Sequence, residues 1–158
     1  MWRRAARPRL PGLDVAGINI EDSTAERLVP PGRHAAKLAA IKRQSPRLFV
    51  NARIDTYWLD QDADLEPTLT RARVYVDAGA DGIFVPGATD AQVLRELAAR
   101  IDVPLNTLLV PGLSVAELGE LGVRRVSTGS ALRDEIKRNQ ANSVDAKNWL
   151  GIEIIGAT

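Results

Sequence analysis

Short apolar runs alternate with amphipathic segments along most of this chain of 158 residues. The runs predict five β-strands, and the segments after them, whose apolar residues recur at helical spacing, predict five helices. The predicted strands are 15–20, 48–51, 83–85, 105–110 and 123–127, and the predicted helices are 30–45, 66–78, 89–100, 114–121 and 129–138. This strict alternation is typical of right-handed βαβ units around a parallel sheet.

Two architectures satisfy this order of elements. One is an open, doubly wound sheet, and the other is part of a (β/α)8 barrel. The spacing of the elements and the chain length do not choose between them. Residues 1–14 predict an irregular segment, residues 15–138 a partial barrel domain, and residues 139–158 a tail in which the pattern weakens.

Residue types at the ends of the predicted helices support their bounds. Thr89 is expected to cap the start of one helix, and Ser114 that of another, with Glu117 completing a capping box. Gly79 follows the last turn of a third helix, a position that favours glycine.

Composition excludes several classes of function. The formal net charge is +1 and aromatic residues make up 4% of the chain, which argues against nucleic acid as a partner. No apolar run approaches the length needed to span a membrane, and no apolar region suited to a signal peptide follows the basic start. The chain has no cysteine, so thiolate chemistry and disulfides are excluded. A cytoplasmic protein is the default expectation.

Two apolar runs end abruptly in polar and charged residues. The first run delivers Glu21 and Asp22, and the second delivers Asn51, Arg53 and Asp55. Buried parallel strands have this pattern where their carboxyl ends open onto an active site. Carboxylates hold hard cations such as Mg²⁺, and an arginine clamps a small carboxylate or phosphate. The two runs therefore predict an enzyme of small anionic substrates, with Asp55 as the structural partner of Arg53.

Three further positions carry weaker signals. Gly129 follows the last predicted strand and opens a helix, so its backbone N–H could bind an anion, although a simple cap by Ser127 or Thr128 explains the pattern equally well. His34, the only histidine, is expected to be a solvated helix residue. Asp22 is expected to orient the loop that follows it.

An ordered set of motifs carries a family resemblance. The motifs are GINIEDS (17–23), LVP (28–30), FVNARID (49–55), AGADGIFVPG (78–87), PLN (104–106) and GVRRVSTGS (122–130). Together they resemble the isocitrate lyase/phosphoenolpyruvate mutase superfamily, most closely its short phosphonomutase-like branch, over about residues 15–136. The resemblance implies a (β/α)8 TIM barrel, Mg²⁺, and lyase or phosphonomutase chemistry on a small 2-oxo or 2-hydroxy acid through a pyruvate enolate.

The resemblance also implies roles for individual residues. Glu21 resembles the glutamate that holds a metal-bound water, and Arg53 the arginine that binds the substrate carboxylate. Asn106 resembles a polar residue at the far side of the pocket. With Asn51 and Gly129 these make the predicted site, in which Glu21 and Arg53 are catalytic, Arg53, Asn51, Asn106 and Gly129 bind substrate, and Glu21 meets the metal through water.

The chain departs from the family at both ends. Residues 1–14 do not resemble the first strands of the family barrel, which carry the aspartates that ligate Mg²⁺, and the lyases' catalytic cysteine has no counterpart. We therefore expect an N-terminally truncated member with about five β/α units from the second half of the barrel, and impaired activity. One alternative is a non-catalytic barrel fragment that self-associates as a homo-oligomer. Another is a flavodoxin-like domain that binds a phosphorylated ligand near Gly129.

Overall fold

The computed structural model describes residues 15–129. The irregular segment 1–14, the predicted helix 129–138 beyond its first residue, and the tail 139–158 lie outside the described residues. The elements in chain order are β1 (Gly17–Glu21), β2 (Ser23–Thr24), β3 (Arg27–Leu28), α1 (Pro31–Gln44), β4 (Phe49–Arg53), α2 (Thr56–Leu59), α3 (Leu65–Asp77), β5 (Gly82–Phe84), α4 (Ala91–Arg100), β6 (Leu105–Leu108), α5 (Val115–Glu120) and β7 (Arg125–Ser127).

Five of the strands form one parallel sheet whose order in space is β1-β4-β5-β6-β7. This order follows the chain without a reversal. A doubly wound sheet reverses its strand order at a switch point, so the flavodoxin-like alternative is wrong. Right-handed connections that advance in one direction place every helix on the same face, as in a barrel wall. The partial barrel is confirmed, and α3 accordingly packs against both α1 and α4.

The two faces of the sheet differ sharply in chemistry. One face packs against the helices and forms the core, with Val50, Ala52, Ile54, Ile83, Val85 and Leu105 buried there. The opposite face, which we call the lumen face, carries Asn19, Glu21, Phe49, Asn51, Arg53, Phe84, Asn106, Leu108, Arg125 and Ser127, as the strand register requires. The polar residues of the predicted site therefore share one face.

Two local elements are absent from the sequence prediction. β2 and β3 pair as an antiparallel hairpin whose turn residues, Ala25 and Glu26, both have positive φ. The helix α2 follows β4 directly and begins just after Asp55.

The predicted helix ends are mostly confirmed. Ser114 and Glu117 form the capping box of α5, and Gly79, with a φ of 97°, follows Ala78, the C-cap residue of α3. The prediction of Thr89 as a cap is wrong, because Asp90 caps α4 by accepting hydrogen bonds from two backbone N–H groups of its first turn. A carboxylate is a stronger acceptor for these N–H groups than a hydroxyl. Within residues 15–129, no helix is long and apolar enough to cross a membrane.

Candidate functional site

A cleft of about 500 Å³ lies on the lumen face towards the carboxyl ends of the parallel strands. Residues from all five strands or the loops that follow them line it: Asn19, Arg53, Trp58, Phe84, Pro86, Leu108, Leu109, Ser127, Thr128 and Gly129. Arg53 is the charged side chain among these residues, so the cleft is suited to an anion.

The guanidinium of Arg53 is fixed on two sides by carboxylates. Its Nε donates to Oδ1 of Asp55 at 2.6 Å, and its Nη1 donates to Oε1 of Glu21 at 2.8 Å. The rings of Trp58 and Phe84 lie 5.5 and 5.9 Å from its Cζ, within the range of a cation–π contact. No described residue accepts a hydrogen bond from Nη2. Arg53 is thus held in one orientation with donor capacity left over.

Asp55 is completely buried and balances the charge of Arg53. Its second oxygen, Oδ2, accepts a hydrogen bond from the hydroxyl of Ser23 at 2.5 Å. Both oxygens are therefore occupied within the protein. The predicted pairing of Asp55 with Arg53 is confirmed.

Glu21 and Asp22 are adjacent in sequence but point in opposite directions, because neighbouring side chains of a strand alternate. The Glu21 side chain is 55% exposed and reaches Arg53 on the lumen side. Asp22 is completely buried on the helix side, where it accepts hydrogen bonds from the Asp55 N–H, Tyr75 and Arg71. Asp22 does more than orient the following loop.

The two predicted asparagines are buried and do not line the cleft themselves. Asn51 donates to Oδ1 of Asn19 at 2.8 Å, and Asn106 exchanges longer hydrogen bonds with the Ser127 hydroxyl at 3.3 and 3.4 Å. Asn19 and Ser127 do line the cleft. Direct substrate contact by Asn51 or Asn106 stays a prediction.

Gly129 lines the cleft as its last described residue. Its φ is 56°, and a Cβ at this position would lie 3.2 Å from Cδ2 of Leu108. Glycine thus keeps this end of the cleft open. The predicted anion site on the Gly129–Ser130 backbone stays a prediction, since Ser130 lies outside the described residues.

The prediction of a solvated His34 is wrong. Its side chain is buried on α1, with its ring 4.7 Å from that of Tyr75 in an edge-on arrangement. Burial, together with the positive charges of Lys37 and Arg71, lowers the pKa of His34 to about 4. No residue of 15–129 hydrogen-bonds its Nε2.

Burial also shifts the other titratable groups in this region. It raises the pKa of Asp22 above its ordinary value, while the hydrogen bonds from Asp55 and Tyr75 and the charge of Arg71 oppose the shift. Burial and the nearby carboxylate of Asp22 raise the pKa of Tyr75. Arg71 and Tyr75 lie one turn apart on α3, a spacing that placed them on one face, but the sequence did not show what that face contacts.

The carboxylates near Arg53 do not form a binding site for Mg²⁺ among the described residues. Residues 15–129 hold no group of three or more histidine, aspartate or glutamate side chains placed to bind a metal ion. The carboxylate oxygens of Asp22 and Asp55 all accept hydrogen bonds within the protein, whereas Oε2 of Glu21, beside Arg53, has no described partner. The described residues therefore do not fit direct coordination of Mg²⁺. Glu21 fits only an outer role, accepting a hydrogen bond from water.

Comparison with known proteins agrees with the fold and the motifs. The sequence model of the phosphoenolpyruvate phosphomutase family matches residues 7–145. The chain belongs to the isocitrate lyase/phosphoenolpyruvate mutase superfamily. An uncharacterized protein of Mycobacterium tuberculosis strain H37Rv is 63% identical over 118 residues, which cover 75% of this chain and 46% of that protein.

Two further members of the superfamily show how much of such proteins the chain represents. The 2-methylisocitrate lyase of Bacillus subtilis is 34% identical over 100 residues, 58% of this chain and 32% of the lyase. A crystal structure from Burkholderia cenocepacia J2315, described as a phosphonomutase, is 34% identical with a TM-score of 0.74, and the alignment covers 80% of this chain and 56% of that one. The chain spans about half, or less, of the relatives it matches.

Proposed function

We propose that the described residues form the carboxylate-binding half of a lyase or phosphonomutase site for a small 2-oxo or 2-hydroxy acid. Membership of the superfamily supports the class of reaction. The observation that carries the proposal is the orientation of Arg53, which projects into the cleft with Nη2 free of described partners.

Arg53 would bind the substrate carboxylate through charge-assisted hydrogen bonds, which are stronger than neutral ones. Asp55 fixes the guanidinium before the substrate arrives, so little reorganisation accompanies binding. The apolar side chains of Trp58, Phe84 and Leu108 beside the guanidinium lower the local polarity, which strengthens the attraction. A positive group held at the carboxylate also stabilises the negative charge that spreads over a pyruvate-like enolate.

Glu21 would hold a water molecule at the rim of the cleft. In the superfamily as the resemblance implies it, Mg²⁺ supplies the electrophile that stabilises the enolate. The described residues lack its direct ligands, so we assign it no step here. We propose turnover for the complete site only, and carboxylate binding for the described half.

Oxalate, a planar mimic of the pyruvate enolate, tests this proposal in a thermal melt with and without Mg²⁺. We expect the melting temperature to rise with the logarithm of oxalate concentration, since the ligand binds the folded state; a tenfold excess over Kd adds about 1.4 kcal/mol to stability. Arg53→Met should abolish the rise. A Mg²⁺-dependent increase in the shift would show that a metal site is present in the whole chain.

Arg43→Met is the matched control. Arg43 is exposed in the last turn of α1, on the helix side of the sheet and outside the residues that line the cleft. Its substitution removes the same charge and should leave the oxalate shift intact. An equal loss in both variants, or no shift in the wild type, would contradict the proposal.

A second candidate is a non-catalytic fragment that functions by self-association. It is favoured by one observation: within the described sheet, β1 pairs only with β4 and β7 only with β6. Among residues 15–129, each outer strand therefore has an edge without a partner strand, a common template for pairing with another chain.

A further inference from the structure

A chain of hydrogen bonds connects helix α3 to the arginine of the cleft. It begins at Tyr75 and Arg71, passes through Asp22 and Asp55, and ends at Arg53. We call Tyr75, Arg71, Asp22 and Asp55 the anchor network. None of these four belongs to the predicted site of Glu21, Asn51, Arg53, Asn106 and Gly129, and none lines the cleft.

The first link fixes the carboxylate of Asp22. Its Oδ2 accepts hydrogen bonds from the Tyr75 hydroxyl at 2.8 Å and from Nη1 of Arg71 at 3.0 Å. Nη1 of Arg71 also donates to the hydroxyl oxygen of Tyr75 at 3.1 Å. Asp22 and Tyr75 are completely buried, and Arg71 is nearly so. Hydrogen bonds in such surroundings are protected from competition by water, so Asp22 has little freedom to rotate.

The second link fixes the backbone after β4. Oδ1 of Asp22 accepts from the Asp55 N–H at 2.9 Å, and the Asp22 N–H donates to the Arg53 carbonyl at 3.0 Å. On the other side, the Ile54 N–H donates to the Phe84 carbonyl at 2.8 Å. Asp22 thus holds the peptide groups on both sides of Ile54, just where the strand ends and regular sheet pairing would no longer constrain them.

The third link transfers this order to the cleft. The carboxylate of Asp55 projects from the fixed backbone and accepts from Nε of Arg53 at 2.6 Å. A shift of the Asp55 backbone would move this carboxylate and so rotate the guanidinium away from Glu21 and the cleft. We propose that Asp22, held by Tyr75 and Arg71, is a positioning residue that sets the direction of Arg53. This inference rests on the proposed function only for its consequence in binding.

Asp22→Asn tests the network, because the side chain keeps its shape but offers a single acceptor oxygen. The oxygen can accept either from the Asp55 N–H or from Tyr75 and Arg71. The NH2 group then faces the remaining N–H or O–H donors and cannot accept from them. The readout is the Nε–H signal of Arg53 in a nitrogen-15 NMR spectrum, assigned by its absence in Arg53→Lys. We expect solvent exchange of this proton to accelerate about tenfold or more, since a charged hydrogen bond is weakened.

Tyr75→Phe is the milder variant and keeps the test decisive where Asp22→Asn does not fold. It removes one donor and leaves Arg71 in place, so a smaller acceleration in the same direction is expected. Leu97→Ala is the control: Leu97 is fully buried on α4 and takes no part in the network, so it lowers stability without removing any hydrogen bond of the network. The Arg53 signal of Leu97→Ala should match that of the wild type, even where this variant is as unstable as the network variants.

An unchanged Arg53 signal in both Asp22→Asn and Tyr75→Phe would overturn the inference and leave the network a stabilising feature only. The NMR readout needs no ligand, so it remains decisive if wild-type protein fails to bind oxalate and the proposed function falls. Where the wild type does bind, the oxalate Kd should rise about tenfold in Asp22→Asn and stay constant in Leu97→Ala.

Discussion

His34 makes the stability of this protein sensitive to mild acid. Its pKa is lowered to about 4 in the folded state, whereas an unfolded histidine titrates near its ordinary value of about 6.5. Between these values the unfolded state binds a proton that the folded state does not. Stability therefore falls as the pH drops from about 6.5 towards 4.

The variant His34→Leu should flatten this dependence. We expect the wild type to lose about 2 kcal/mol more free energy of unfolding than His34→Leu between pH 7 and pH 5, measured by urea denaturation. Every carboxylate is present in both proteins, so the comparison isolates His34. Parallel profiles for the two proteins would contradict this expectation, because they would mean that folding does not lower the pKa of His34.

Arg53 shows at the same scale why a binding residue needs its neighbours. A lone arginine at a strand end is a flexible cation, and an exposed ion pair contributes little to stability. Here a completely buried carboxylate holds Nε while a half-exposed one holds Nη1. The two carboxylates fix Nε and Nη1 of the guanidinium and leave Nη2 available to a ligand in the cleft.

At the scale of elements, the turn after β5 is packed closely against α2. Gly87 has a φ of 84°, and a Cβ there would lie 2.9 Å from the carbonyl carbon of Tyr57 and 3.0 Å from the backbone nitrogen of Trp58. These contacts involve backbone atoms, which cannot rotate away. The glycine therefore lets α2 approach the cleft and place the indole of Trp58 beside Arg53.

Gly112 provides a matched control for this contact. Its φ is 83°, but nothing lies within 4 Å of a Cβ built on it. We expect Gly112→Ala to cost about 1 kcal/mol, because the backbone conformation alone is strained. Gly87→Ala should cost roughly 1–3 kcal/mol more, since α2 must also shift. Chemical denaturation measures both, and equal losses would mean that the contact with α2 yields easily.

At the scale of the whole molecule, the described sheet is open at both edges and exposes its lumen face. Phe49 is 41% exposed on that face, and the edges of β1 and β7 have no described partner strand. Unpaired edges beside apolar surface favour association. We expect sedimentation velocity to show a molecular mass that increases with protein concentration.

Phe49→Ser should weaken this association, because it removes apolar surface from the lumen face. Val115→Ser is the control, since Val115 is 61% exposed on α5 and its loss leaves the lumen face intact. A monomer with a cooperative melt at every concentration would contradict self-association and would favour a self-sufficient domain.

The sequence by itself determined the order of elements and the chemistry at the strand ends. Apolar periodicity located the five sheet strands and the four larger or capped helices among residues 15–129, because burial on one face leaves a direct trace in the pattern of residues. The motifs identified the superfamily, and Arg53 with Asp55 was predicted as a pair. Periodicity, motifs and the Arg53–Asp55 pair all involve residues close together in the chain, so they can be recognised from the sequence.

Only the tertiary structure decided the rest, since it depends on contacts between residues far apart in the chain. The choice of barrel over open sheet required the spatial order of strands. The β2–β3 hairpin turns through Ala25 and Glu26, residues that do not normally favour positive φ, so it left no signal. The burial of His34 and the anchoring of Asp22 both arise where α1 and α3 meet the end of β1. No local pattern reveals which polar residues such a meeting will enclose.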